Sequence, residues 1–162
     1  MEGMRVDLRI RDGAETFALE LKYKTRNAEI RHDNETFVLQ NHAAQDIGRY
    51  DFLKDVTRLE TLAGRGKMHV GYAIMLTNDQ RYWNKGRSGT VDEAFKLHDG
   101  REITGRLGWG AAAGDGTIKG RESPLEIQKN YLLEWRDYSA VVNPPFKYLA
   151  ISVGDSSAIA AA

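Results

Sequence analysis

The sequence predicts an α/β domain. Three features carry that prediction: two alternating apolar and polar segments on either side of Asp12-Gly13, a stretch of helical apolar spacing from Asn41 to Leu62, and a nearly continuous apolar run from Val70 to Leu76. Each has a different period, and each period selects a different backbone.

Val6, Leu8 and Ile10 alternate with Arg5, Asp7, Arg9 and Arg11, the pattern of a half-buried strand. Asp12-Gly13 is a strong hairpin signal. Phe17, Leu19, Leu21 and Tyr23 then alternate with Ala18, Glu20, Lys22 and Lys24, giving a second strand antiparallel to the first. The segment 25–34 is polar and loop-like, and 35–39 suits a short strand or a helix entry. From 41 to 62, Phe52, Val56, Leu59 and Ala63 recur at three and four, with Ala44, Ile47 and Leu53 widening the stripe. Asn41 is placed as its N-cap, and Gly64 and Gly66 as its stop. Val70–Leu76 has the length and composition of a strand covered on both faces. Later, 105–120 reads as a glycine-rich loop, while 131–138 and 146–153 read as strands separated by Asn143-Pro144-Pro145. No repeat or linker divides the chain, so 1–162 is expected to be a single domain with a frayed tail at 156–162.

Composition limits the classes. The chain has 162 residues, enough for one sizeable core. It has no cysteine, which excludes disulfides and thiolate metal sites and suits a reducing cytoplasm. No apolar run approaches a membrane span, and no leader-like segment opens the sequence. Lys plus Arg and Asp plus Glu are 23 each, so the formal net charge is zero. That balance weighs against tight static binding of DNA. It weighs less against an enzyme that holds phosphate through a cation, because such a site needs local carboxylates.

The chemistry lies on the hairpin. Glu20 and Lys22 are two apart and share a face. If Asp12-Gly13 is the two-residue turn, Arg11 pairs with Ala14 and Asp7 faces Ala18. Glu20 is then the diagonal neighbour of Asp7 on the same face, about 7–8 Å away between alpha carbons. The other face carries Val6, Leu8, Ile10, Phe17, Leu19 and Leu21 and is expected to be the core face. Asp7 and Glu20 offer hard oxygens for Mg²⁺ or Mn²⁺, and Lys22 can stabilise charge that develops on a phosphoryl group. Spacing alone favours a plainer reading, a solvated strand face, because charges of both signs commonly alternate on exposed strands.

At these residues the sequence resembles a known family. Val6-Asp7-Leu8 followed by Leu19-Glu20-Leu21-Lys22-Tyr23-Lys24 looks like the signature of the PD-(D/E)XK nuclease superfamily, in which an Asp on one strand precedes a Glu-x-Lys triplet on the next. The segment 44–52 is similar to uncharacterised bacterial members. The helix and buried strand that follow fit the same pattern, and the resemblance covers about the first half of the chain. It implies a restriction-endonuclease-like fold, a mixed β-sheet flanked by helices. It also implies a metal-dependent nuclease that hydrolyses phosphodiester bonds in nucleic acid, most naturally DNA. Asp7 and Glu20 would ligate Mg²⁺ or Mn²⁺, and Lys22 would assist the water or the phosphate. Gln45, matched to a helix glutamine of the family, would help to position it. The family's Gln-x-x-x-Tyr spacing departs here by one residue, with Tyr50 as the tyrosine.

Only Met1 to Met4 precede the first strand, so the usual N-terminal helix and first strand are expected to be lacking. An exposed sheet edge would follow, to be covered by a homodimer or by the C-terminal strands. The same shortfall supports an alternative function, a catalytically impaired nucleic-acid-binding or assembly module.

Other residues admit two readings each. Lys22, Lys24, Arg26 and Arg31 with Tyr23 form either a phosphate-contacting rim, in which Lys24 and Arg26 bind nucleic acid, or solvated charge. Arg49, Lys54 and Arg58 with Asp51 and Asp55 suit ordinary intrahelical pairs. The four histidines lack metal-ligand spacing, His42 alone lying near the expected site. The tryptophans at 83, 109 and 135 fit packing better than base stacking.

Overall fold

A computed structural model describes residues 5–154, apart from the side chain of His32. The expected tail at 156–162 and the residues before Arg5 lie outside the described residues. The elements run β1 (Leu8–Asp12), β2 (Glu15–Lys24), β3 (Ala28–His32), β4 (Glu35–Leu39), α1 (Gln45–Gly64), β5 (Val70–Thr77), a 3₁₀ turn (Glu93–Phe95), β6 (Glu102–Leu107), α2 (Asp115–Ile118), β7 (Leu125–Leu132), β8 (Trp135–Ser139) and β9 (Phe146–Gly154). Five strands form one mixed sheet in the order β1-β2-β5-β9-β8, with β2 and β5 parallel. Helix α1 connects those two parallel strands, as a parallel pair requires a crossover. The described chain is therefore mixed α/β. None of its helices is long and apolar enough to cross a membrane.

The β1–β2 hairpin forms, but its register differs from the one expected. Asp12 pairs with Glu15 and Leu8 with Leu19, so Gly13 and Ala14 make the turn. Gly13 has φ +56°, which a glycine adopts without a Cβ penalty. The shift is two residues, so each side chain keeps its face. Continuing the ladder one step sets Asp7 opposite Glu20 rather than opposite Ala18.

The larger correction concerns the core face. Leu8, Ile10, Leu21 and Tyr23 are 44–51% exposed, whereas Ala18 and Glu20 are 2% exposed. Helix α1 packs over the face that carries Ala18, Glu20 and Lys22. Small residues make that approach possible. Ala18 pairs with Gly71 and Glu20 with Ala73, and a Cβ on Gly71 would lie 2.6 Å from Met68 Cε and 2.9 Å from Leu59 Cδ2. On the same side β9 presents Leu149, Ile151 and Val153, which complete a core with Phe52, Leu53, Val56 and Leu59 of α1. The apolar residues of the hairpin thus line the opposite, partly open face.

Helix α1 starts at Gln45, with Ala44 at φ +61°, rather than at Asn41. The cause is the preceding strand end: His42 N donates to Thr25 O (2.7 Å), and His42 Nδ1 accepts from Thr25 N (3.0 Å). These bonds hold the chain beside the end of β2, so the helix begins afterwards. Its stop is as expected, with Gly66 at φ +61° donating to Ala63 O.

Three strands escape the sequence reading. β3 pairs with β4 in a hairpin outside the main sheet, where the expected loop at 25–34 should lie. β6 and β7 form a second separate hairpin, bulged between Ile103 and Gly105. The expected strand at 131–138 breaks at Leu133–Glu134, with β7 on one side and β8 on the other. The C-terminal strands β9 and β8 join the sheet beside β5, so β1 remains the edge strand on the other side. Buried Glu60 fastens β7 to α1 by accepting from Gln128 N, Lys129 N and the Tyr131 hydroxyl, each at 3.0 Å.

Candidate functional site

The structure brings Asp7, Glu20 and Lys22 together and adds two residues that sequence reasoning assigned elsewhere. Lys22 Nζ lies 2.6 Å from Asp55 Oδ2. Arg58 Nη1 donates to Glu20 Oε1 at 2.5 Å and lies 3.2 Å from Asp55 Oδ1. Asp7 Oδ2 accepts from Leu21 N at 2.8 Å, which fixes the carboxylate beside the middle of β2. The expected Asp55–Arg58 pair exists, but both residues also reach across to the strand. Asp51 pairs with Arg121 at 2.8 Å rather than with its own helix. A signal for Asp55 was present in the sequence. It lies three after Phe52 and four before Leu59, on the apolar stripe itself, where a charge requires a partner.

The electrostatics follow from burial. Glu20 has its pKa raised, first by desolvation and then by Asp55 and Asp7, against the opposing hydrogen bond from Arg58. Asp55 is raised as well, mainly by desolvation, although Lys22 and Arg58 pull it down. Three carboxylates share two cationic side chains, so one negative charge is left over. Arg58 is held more firmly protonated by its bond to Glu20, against its own desolvation.

The donor chemistry fits a hard divalent cation. Carboxylate oxygens, a surplus negative charge and the exposed Asp7 are what Mg²⁺ requires, since it binds through one or two carboxylates and keeps several waters. Asp7 and Glu20 are the residues that would hold it, and Arg58 is its competitor for Glu20. Among the described residues no group of three or more His, Asp and Glu side chains is arranged as a metal site.

Gln45 does not join this cluster. It starts α1, thirteen residues before Arg58, about 20 Å along the helix axis. Its amide donates to Asp79 Oδ2 (2.9 Å), after the end of β5. Tyr50 is 2% exposed, donates to Ser123 O (2.9 Å) and stacks on Trp109, so it belongs to the core. The ring of Trp135 lies 5.8 Å from that of Trp83, and both are packing residues. His69 Nδ1 accepts from Thr16 N, and His42 is the Thr25 fastener described above.

Gln45 and Arg26 instead line a cavity of about 410 Å³ at the ends of β2 and β5 and the start of α1. Arg49, Arg81, Arg87 and Lys96 line it too. Three of these cations are fixed by carboxylates: Arg81 by Asp79 (2.8 Å), Lys96 by Glu93 (2.9 Å) and Arg49 by Asp92. Arg49 also donates to Arg81 O at 2.5 Å. Asp79 is held below its ordinary pKa by Arg81 and Gln45, which outweigh its desolvation. Asp92 is lowered likewise by Thr90 and Arg49. Sequence reading missed this site because its cations come from four separate segments of the chain.

Compared with protein-family models, curated proteins and solved structures, the chain has no match.

Proposed function

We propose that this domain is a metal-dependent nuclease of restriction-endonuclease-like fold, acting on DNA in the cytoplasm. One observation carries the reading: Asp7, Glu20 and Lys22 converge on one face of a hairpin whose second strand is parallel to β5 across a helix. Bound between Asp7 and Glu20, Mg²⁺ or Mn²⁺ would supply Lewis acidity and a water of lowered pKa. Lys22, oriented by Asp55, would stabilise negative charge on the phosphoryl oxygens. Arg58 would turn from Glu20 to the substrate phosphate, a planar donor suited to that anion. Lys24 and Arg26, next along β2 and just beyond it, would contact the backbone of the strand.

The test is cleavage of plasmid and single-stranded DNA with Mg²⁺ or Mn²⁺, using the wild type beside Glu20→Gln and Lys22→Ala. Activity in the wild type and a loss of about 100-fold or more in both variants is expected. Equal activity in all three proteins would falsify the proposal.

A second reading rests on a specific feature. Arg58 already neutralises Glu20, and Asp55 already binds Lys22, so two of the three carboxylates are paired within the protein. A nucleic-acid-binding or assembly module without catalysis accounts for that pairing. It predicts salt-sensitive binding without divalent-dependent cleavage.

A further inference from the structure

Away from the carboxylate cluster, the cavity at the ends of the parallel strands is shaped and charged for a different ligand. Parallel α/β sheets place crevices beyond the carboxyl ends of their strands, and that is where this one lies. Its volume, about 410 Å³, falls in the range of small-molecule pockets. Five cationic side chains line it against two carboxylates, Asp46 and Asp92. Both carboxylates are engaged: Asp46 accepts from Ile47 N at 2.8 Å, and Asp92 is bound by Arg49. Counting Asp79 and Glu93, which bind Arg81 and Lys96, one positive charge is still in excess.

The cations divide into two kinds. Arg49, Arg81 and Lys96 are fixed by protein partners. Arg26 and Arg87 are exposed, and among the described residues neither forms an ion pair. Arg49 Nε is buried without a hydrogen-bond acceptor, a donor that proteins rarely leave unmet. Two uncommitted guanidinium groups above a fixed basic wall suit the tetrahedral oxygens of phosphate.

We propose that this cavity is a phosphate-binding site sized for a nucleotide, with the exposed Arg26 and Arg87 and the fixed Arg49 as its contacts. The phosphate belongs either to a free nucleotide or to the 5′ end of a strand. The proposal does not rest on cleavage at Asp7 and Glu20, because its readout is binding without a divalent cation.

The experiment is calorimetric titration of the full chain, without divalent metal, with inorganic phosphate, adenosine 5′-monophosphate, and one oligonucleotide carrying either a 5′-phosphate or a 5′-hydroxyl. Phosphate and the mononucleotide should bind, and Arg26→Ala with Arg87→Ala should weaken both by about tenfold or more, as expected for losing charge-assisted hydrogen bonds. Arg26→Lys with Arg87→Lys should recover part of that loss. Arg106→Ala with Arg136→Ala, away from the cavity, should change affinity less than about twofold. A 5′-phosphate that strengthens oligonucleotide binding assigns the site to strand ends. Equal binding of the two oligonucleotides, neither displaced by the mononucleotide, assigns it to free nucleotide. No binding of phosphate or mononucleotide by the wild type overturns the proposal, and so does equal weakening by the two alanine pairs.

Discussion

Helix α1 serves two charged regions that solve opposite problems. Midway along it, Asp55 and Arg58 close over Glu20 and Lys22 in a cluster with surplus negative charge and two buried carboxylates, Glu20 and Asp55. At its start, Gln45 and Arg49 border an open cavity with surplus positive charge. Carboxylates respond accordingly. Glu20 and Asp55 are pushed up by desolvation, whereas Asp79 and Asp92 are held down by hydrogen bonds and cations that outweigh theirs. Burial alone therefore does not set the direction of a carboxylate's shift. The balance between desolvation and the surrounding donors and cations does.

The largest expected effect comes from breaking the closed region. Asp55→Ala leaves Lys22 without its partner and Arg58 with one fewer, beneath a packed helix. Removing one partner of a buried pair is strongly destabilising, and about 3 kcal/mol of unfolding free energy should be lost. Urea denaturation measures it. A loss below about 1 kcal/mol would mean that the cluster is better hydrated than its burial indicates.

The second expected effect is a pair of opposite pH slopes. In the folded chain Glu20 titrates above its ordinary 4.5, so the native state holds that proton more tightly than the unfolded chain does. Its contribution to stability is fullest below 4.5 and falls as pH rises through the raised pKa. Asp79 titrates below its ordinary 3.8, so its contribution is present above 3.8 and is lost as pH falls through the lowered pKa. Measured against Glu20→Gln, the wild type should lose ground on going up in pH. Measured against Asp79→Asn, it should lose ground on going down. Denaturation midpoints at several pH values test both, and slopes of the same sign would end the contrast.

The smallest expected effect sharpens the difference in purpose. Arg26→Ala with Arg87→Ala removes two exposed guanidinium groups that form no ion pair among the described residues. The stability change should stay within about 0.5 kcal/mol. A larger thermal shift would show that these arginines hold the fold together.

Much of the fold was legible locally. The period-two hairpin, the 3.6-residue spacing of α1 and the apolar run of β5 each mark their own backbone. Of the β3–β4 hairpin, β4 was legible only as one of two options for 35–39 and β3 was not legible, because the hairpin stands apart from the main sheet and Phe37 and Val38 of β4 are exposed, so no core enforces an alternating pattern. The candidate site was legible in part. Asp7, Glu20 and Lys22 were found from strand alternation; Asp55 and Arg58 were read as neighbours on one helix, when each also reaches across to β2.

What the sequence determined by itself is relative sidedness. Alternation puts Asp7, Glu20 and Lys22 on one face in any register shifted by an even step, and the observed shift is two. Which face meets the helix was decided only in three dimensions. Apolar residues on one side argued for a core there. Ala18, Gly71 and Ala73, adjacent on the other side across β2 and β5, leave room for α1 to approach, and the long charged side chains beside them found partners on it. Packing against a helix depends on the relief of two strands together, and alternation along either strand alone does not contain that information.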